Sequence, residues 1–102
     1  MRDRLSLHDK LVGILQNNNA YYQPPSGFRL QYPCVLYNQE VGDVKKANNK
    51  LYTYTKKYSV TFIYKDCNDD VIEDMLNIFN HCRLDSMYIT DNLYHYVFTI
   101  YY

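Results

Sequence analysis

The longest regular pattern of apolar and polar positions runs from Leu51 to Lys65 and alternates with a period of two. Even positions carry mostly aromatic and branched side chains, whereas odd positions carry mostly Thr, Ser and Lys. This alternation predicts one long β-strand, with the segment from Tyr58 to Tyr64 in the core. Because strands usually have about five or six residues, we expect the segment from Leu51 to Lys57 to project as an arm.

Two other segments repeat their apolar residues at the spacing of an α-helix. A run of three Asn starting at Asn17 ends the first helix, and the second is predicted to begin after an N-cap at Asn68 and to end near His81. The apolar stripes are Leu7, Leu11, Ile14 and Leu15 in the first helix, and Ile72, Met75, Leu76 and Phe79 in the second.

Three shorter strands complete the prediction. They run from Tyr32 to Tyr37, from Ser86 to Thr90 and from Leu93 to Tyr102, and the turn Asp91-Asn92 joins the last two. The segment from Ala20 to Gln31, which contains Pro-Pro-Ser-Gly, is interpreted as an extended connector. The order α-β-β-α-β-β predicts a single α+β domain over residues 1–102, with an antiparallel sheet of about four strands and two helices packed on one face.

Charge is balanced overall but is unevenly distributed. The chain has eleven basic and eleven acidic residues, which argues against a dedicated nucleic-acid-binding protein. No acidic residue lies between Val44 and Tyr64, whereas seven carboxylates and one Arg follow Lys65. Such complementary regions suit head-to-tail self-association into a ring, although solvated surface charges are the more common explanation. The lysines concerned are Lys45, Lys46, Lys50, Lys56, Lys57 and Lys65.

Lysines alternate with tyrosines around the predicted arm, which makes it the candidate interaction site. Thirteen Tyr residues are unusual for 102 residues, and Tyr rings suit protein interfaces as well as half-buried sheet faces. The alternatives are contact with a nucleic-acid backbone and bases and a plain solvated hairpin tip. The predicted subunit or partner interface comprises Lys45, Lys46, Lys50, Tyr52, Tyr54, Lys56, Lys57, Tyr101 and Tyr102.

The sequence contains no recognised catalytic or metal-binding pattern. The residues Cys67, His81, Cys82 and His95 are of zinc-ligand types, but their spacing matches no zinc finger. We therefore expect no catalytic residue, no metal, no cofactor and no enzyme activity. The three cysteines lack a C-x-x-C spacing, and no long apolar run is present, so we expect a soluble chain with free thiols, made in a reducing cytoplasm, with no membrane partner.

Four strings of residues, spread from about Tyr21 to Tyr102, resemble a known family. They are Gln23-Pro24-Pro25, Tyr32-Pro33-Cys34, Tyr58-Ser59-Val60-Thr61-Phe62 and Asp91-Asn92-Leu93-Tyr94-His95-Tyr96-Val97-Phe98. With these strings the chain resembles the tail-completion or tail-terminator-like proteins of tailed bacteriophages, and the ending from Asp91 to His95 is the most specific part.

The resemblance implies a virion protein at the neck, made in the host cytoplasm. It implies a sheet flanked by helices and a homo-oligomeric ring, usually a hexamer, that caps the tail tube. The implied partners are the tail tube protein and a head-closure or neck protein, with possible non-specific contact with DNA in the lumen, and no catalytic residue is carried over. Two alternatives stay open: a head-closure or neck connector protein, and a small nucleic-acid-binding module that uses the Lys/Tyr hairpin.

Overall fold

Two helices and a mixed β-sheet form an α+β fold in the computed structural model, which describes residues 4–40 and 56–102. Helix α1 spans Arg4–Leu15 and helix α2 spans Asp70–Ile78. The strands are β1 (Ala20–Tyr22), β2 (Cys34–Glu40), β3 (Lys57–Tyr64), β4 (Cys82–Thr90) and β5 (Leu93–Tyr101). None of the described helices has the length and apolar character needed to cross a membrane.

The sheet has five strands in the order β1-β2-β3-β5-β4. All neighbouring pairs are antiparallel except β1 and β2, which are parallel. The prediction of about four antiparallel strands in the order α-β-β-α-β-β was therefore wrong in detail, because it took Ala20 to Gln31 as a connector. The pairing of Ala20 with Val35 and of Tyr22 with Tyr37 turns the start of that segment into a strand.

The core lies between the two helices and one face of the sheet. Alternate residues of the central strands point to this face, and Tyr58, Val60 and Phe62 of β3 are buried as their even positions predicted. The rings of Phe62 and Phe98 meet edge to face with centroids 6.0 Å apart. The helices contribute Leu7, Leu11, Leu15, Val71 and Met75 to the same cluster.

The second helix begins and ends differently from the prediction. Its N-cap is Asp69 rather than Asn68, and Asp69 makes no side-chain capping bond. The helix ends at Ile78, because Phe79 adopts an extended conformation (φ −105°, ψ 130°) that accompanies its burial in the core. The chain then enters β4 at Cys82, four residues before the predicted start at Ser86.

Only part of the predicted arm falls within the described residues. Lys57 opens β3, and Lys56 continues its ladder by exchanging backbone hydrogen bonds with Tyr102 at 3.1 and 2.9 Å. Residues 51–55 of the arm, and residues 41–50 of the preceding loop, lie outside the described part of the chain.

Candidate assembly surface

Strand β4 forms one edge of the sheet and carries an exposed apolar segment. Among the strands of the described residues, β4 pairs with β5 alone. Met87, Tyr88 and Ile89 are exposed by 53%, 47% and 63%. An edge strand with free backbone groups and apolar side chains is a ready template for pairing with another chain.

The turn between β4 and β5 determines which backbone groups face the open edge. Asp91 and Asn92 have φ values of 53° and 62°, as a two-residue type I′ turn requires. The flanking pair Thr90 and Leu93 is then a hydrogen-bonded pair, and hydrogen-bonded and non-hydrogen-bonded pairs alternate along the ladder. Met87 and Ile89 occupy non-hydrogen-bonded positions, so their N–H and C=O groups point away from β5.

A β-bulge turns the side chains of Met87 and Ile89 toward the helix-bearing face. Leu84 is opposite Phe98 and Ser86 is opposite Val97, so Asp85 is the extra residue in β4. The bulge changes the parity of the strand. Met87 therefore stands opposite the core residue Tyr96.

A groove of about 370 Å³ lies between this end of the hairpin and the segment that leads into α2. Its surface is mostly apolar, with one carboxylate and one thiol at its border. The lining residues are Cys67, Asp69, Met87, Tyr88, Ile89, Tyr94, His95 and Tyr96.

Tyr96 joins the two walls of the groove. Its hydroxyl accepts a hydrogen bond from the backbone N–H of Asn68 at 3.0 Å and donates one to Oδ1 of Asp69 at 3.1 Å. Desolvation by burial, with a smaller contribution from the bonds to Cys67 and Asp69, raises the pKa of Tyr96 to about 12. Tyr96 is therefore a neutral donor at physiological pH.

The surroundings of the groove are acidic. From Asp66 to Tyr102 the chain carries seven carboxylates and a single Arg, and Arg83 is paired with Asp85 at 2.7 Å. Five exposed carboxylates lie in the segment that borders the groove and in the first half of α2. They are Asp66, Asp69, Asp70, Glu73 and Asp74.

The predicted interface residues lie at the opposite end of the sheet, as far as they are described. Lys57 pairs with Tyr101 in the ladder and forms an ion pair with Glu40 at 3.3 Å. Tyr101 is 41% exposed. Strand β5 separates Tyr101 from Leu93 by eight residues, or about 26 Å at the usual strand rise of about 3.3 Å. Lys45, Lys46, Lys50, Tyr52 and Tyr54 lie outside the described residues.

Tyr102 is placed differently from the other predicted interface residues. It is only 6% exposed, and its hydroxyl forms a hydrogen bond with Oγ of Ser6. Its ring packs edge to face on Phe79 with centroids 5.9 Å apart, and the Lys10 ammonium lies 5.1 Å from its centroid. In this chain Tyr102 is a core residue, and it presents little surface to a partner.

The four residues considered as zinc ligands are not brought together. Cys82 stands opposite Ile100 and His95 opposite Tyr88, so these two lie near opposite ends of the hairpin. His95 instead stacks on Tyr88 with centroids 4.6 Å apart. Within residues 4–40 and 56–102, no group of three His, Cys, Asp or Glu side chains is placed to hold a metal ion.

The groove was not predicted from the sequence. The apolar triplet from Met87 to Ile89 was recognised as a strand, but the bulge at Asp85 hides which of its side chains face the core. A signal was present: three consecutive large apolar residues beside a turn cannot all face the core, because successive side chains of a strand point to opposite faces of the sheet. Comparison with known proteins adds no further guide, since no family model, curated protein or solved structure matches this chain.

Proposed function

We propose that this chain is a structural subunit of a bacteriophage virion, a tail-terminator or tail-completion protein that assembles into a ring. In this role the ring caps the tail tube and joins it to the head-closure or neck protein. The proposal starts from the resemblance carried by the strings between Gln23 and Phe98. It gives the chain an assembly role and no catalytic one.

The observation that carries the proposal is the separation of two surfaces on one sheet. The acidic groove lies beside Met87 and Ile89, whereas Lys57 and Tyr101 lie toward the far end of the strands, five residues beyond Tyr96 in β5, or about 17 Å at the usual strand rise. The lysine-rich segment enters and leaves the described fold at that far end, between Glu40 and Lys56. A lysine-rich sequence that joins the fold at one end and an acidic groove toward the other favour head-to-tail contacts, which close into a ring where the rotation between subunits allows it.

The nucleic-acid-binding alternative depends on the same lysines. One of them, Lys57, already pairs with Glu40 at 3.3 Å, which reduces the charge that it offers to a phosphate. A salt-dependent mobility shift of DNA oligonucleotides by the purified chain would favour this alternative.

Deletion of the gene from the phage genome that carries it tests the proposed role. We expect heads and tails that fail to join, tails of irregular length, and recovery of infectious virions when the chain is supplied in trans. Native mass spectrometry of the purified chain, alone and mixed with assembled tail tubes, is expected to detect a closed ring, with six copies as the expected number. Infectious virions with normal tails in the absence of the chain would overturn the proposal.

A further inference from the structure

We propose that the groove between the β4–β5 hairpin and the segment before α2 binds a basic segment of a partner protein. One large apolar side chain of that segment enters the groove, and Lys or Arg residues beside it face the carboxylates around the groove. The inference goes beyond the proposed function, because it names a surface and the chemistry of its partner and does not depend on a ring.

The size and lining of the groove fit one large side chain. Its volume of about 370 Å³ lies near the lower end of the range for small-ligand sites, about 300–1,000 Å³. Met87 and Ile89, exposed by 53% and 63%, stand on the face of the hairpin that carries Tyr96. Burial of such apolar surface against a partner is favourable, and an unbranched Met adapts to the shape of what it contacts. The groove therefore suits a single large apolar group.

The walls of the groove are joined before any partner binds. Tyr96 is only 2% exposed, and its hydroxyl bonds to both the Asn68 N–H and Oδ1 of Asp69. The same Asp69 oxygen lies 3.5 Å from the Cys67 thiol. These contacts hold the carboxylate at the border of the groove. Binding does not have to order it, which lowers the cost of association.

The charge of the surroundings determines the charge of the partner. Between Lys65 and Asn80 five exposed carboxylates stand against a single ammonium group, that of Lys65. Arg83, the next Lys or Arg along the chain, is paired with Asp85 at 2.7 Å. Complementary charges steer association, and like charges suppress wrong partners. A basic partner is therefore favoured and an acidic one is disfavoured.

The spread of the carboxylates favours a protein segment over a small cation. Asp70 and Asp74 are separated by one turn of α2, or about 6 Å along the helix axis at about 1.5 Å per residue. Asp66 precedes Asp70 by another four residues. A single ammonium group reaches only part of this surface. A segment with several basic residues meets several of the carboxylates while its apolar side chain fills the groove.

The reactivity of Cys67 tests whether the groove is open in the whole chain. Cys67 lines the groove and is exposed, whereas burial raises the pKa of Cys34 and Cys82 to about 11, so a maleimide modifies Cys67 first. We expect fast modification at a rate that does not depend on protein concentration. Modification as slow as that of Cys34 and Cys82 would mean that the chain itself fills the groove. A rate that falls as the chain is concentrated would assign the groove to a second copy, and either result would overturn the proposal.

Three synthetic peptides test the two parts of the recognition on the wild-type chain. The probe is acetyl-Lys-Lys-Phe-Lys-Lys-amide, one control replaces its Phe by Ala, and the other replaces every Lys by Glu. We expect the probe to slow the modification of Cys67. By titration calorimetry it is expected to bind at least about tenfold more tightly than either control, with an affinity that falls as salt is raised.

Each contrary result with the peptides has a definite meaning. Equal binding of the Ala peptide would mean that charge acts without the groove, and equal binding of the Glu peptide would mean that the carboxylates play no part. Phenethylammonium that binds as tightly as the probe would assign the groove to a small organic cation. Any of these results, or binding by none of the peptides, would overturn the proposal.

Matched substitutions locate the binding of the probe. Ile89→Lys places a positive charge at the groove, and Leu5→Lys places the same charge on α1 at nearly equal exposure, 63% and 64%. The affinity is expected to fall about tenfold or more in Ile89→Lys and less than about twofold in Leu5→Lys. Circular dichroism verifies folding. If Ile89→Lys does not fold, Glu73→Gln on α2 and Asp9→Asn on α1, both at exposed positions, repeat the comparison, and equal losses within a pair would overturn the proposal.

The outcome is separable from that of the proposed function. If the probe binds as expected but deletion of the gene leaves virions intact, the docking site stands and the phage role is wrong. If no peptide binds but heads and tails fail to join without the chain, the phage role stands and the groove is not a docking site.

Discussion

The hydroxyl of Tyr96, in the fourth position of β5, lies 3.1 Å from Oδ1 of Asp69, the residue that precedes α2. The same hydroxyl accepts a hydrogen bond from the Asn68 N–H at 3.0 Å. One buried ring therefore connects the hairpin that forms one wall of the groove to the turn that forms the other. Hydrogen bonds to a charged partner contribute more than neutral ones, so we expect this contact to matter both for stability and for the shape of the groove.

Replacement of Tyr96 by Phe is expected to lower the free energy of unfolding by about 1–2 kcal/mol. The ring and its packing remain, so the loss reports the bonds to Asp69 and Asn68. Urea unfolding followed by circular dichroism measures the change. Tyr101→Phe is the matched control, because Tyr101 is 41% exposed and its replacement is expected to change stability by less than about 0.5 kcal/mol. Equal losses in the two variants would contradict the bracing role of Tyr96.

Stability is expected to decrease at alkaline pH. Burial raises the pKa of Tyr64 and Tyr96 to about 12 and that of Cys34 and Cys82 to about 11, above their values in an unfolded chain. The folded chain holds these protons longer than the unfolded chain does. The stabilisation is therefore complete below about pH 9 and is lost as the pH rises toward 12.

Urea unfolding at a series of pH values measures this dependence. Tyr64→Phe removes one titrating group from the core while keeping its ring. It is expected to make the decrease between about pH 10 and 12 shallower, whatever its effect at neutral pH. An unfolding free energy that rises over this interval in the wild-type chain would contradict the assignment.

The three thiols are expected to differ in reactivity at pH 8. Cys67 is exposed, Cys34 is buried and Cys82 is half-buried, and thiolate is the reacting form. A pKa of about 11 for Cys34 and Cys82 leaves only about one thiolate in a thousand at that pH. A disulfide reagent that releases a chromophore is expected to record one fast thiol and two slow ones, and three fast thiols in denaturant. Three equal rates in the folded chain would contradict this arrangement.

The sequence predicted the elements whose patterns are local. The period-two alternation at Tyr58, Val60 and Phe62 identified both β3 and its buried face, and the helical stripes identified α1 and α2. Strand β1 was missed because three residues, Ala20 to Tyr22, cannot display an alternation. It is a strand because it pairs with β2, and each pair of residues is separated by fifteen positions along the chain. Such pairing leaves no local signal in the sequence.

The candidate site was predicted less well than the fold, for a related reason. The arm was predicted from its lysines and tyrosines, and residues 51–55 of it lie outside the described part of the chain. The groove depends on the bulge at Asp85, on the position of Asp69 beside Tyr96, and on β4 being an edge strand. Each of these is a relation between distant residues, so composition and periodicity do not reveal them. Tyr102 illustrates the converse, since it was predicted to lie in an interface while its ring packs on Phe79.

The turn at Asp91-Asn92 allows a final prediction about the hairpin that carries the groove. Both residues have positive φ values, 53° and 62°, a conformation that costs a residue with a Cβ about 1–2 kcal/mol and costs Asn or Asp less. Glycine adopts it without a steric penalty, and Asn-Gly and Asp-Gly are the favoured pairs in type I′ turns.

Asn92→Gly is therefore expected to raise the free energy of unfolding by about 0.5 kcal/mol, and Asn92→Ala is expected to lower it by about 1 kcal/mol. Urea unfolding of the two variants and of the wild-type chain measures both changes. The critical result is that the two changes differ in sign. An alanine variant as stable as the glycine variant would be incompatible with a left-handed backbone at position 92.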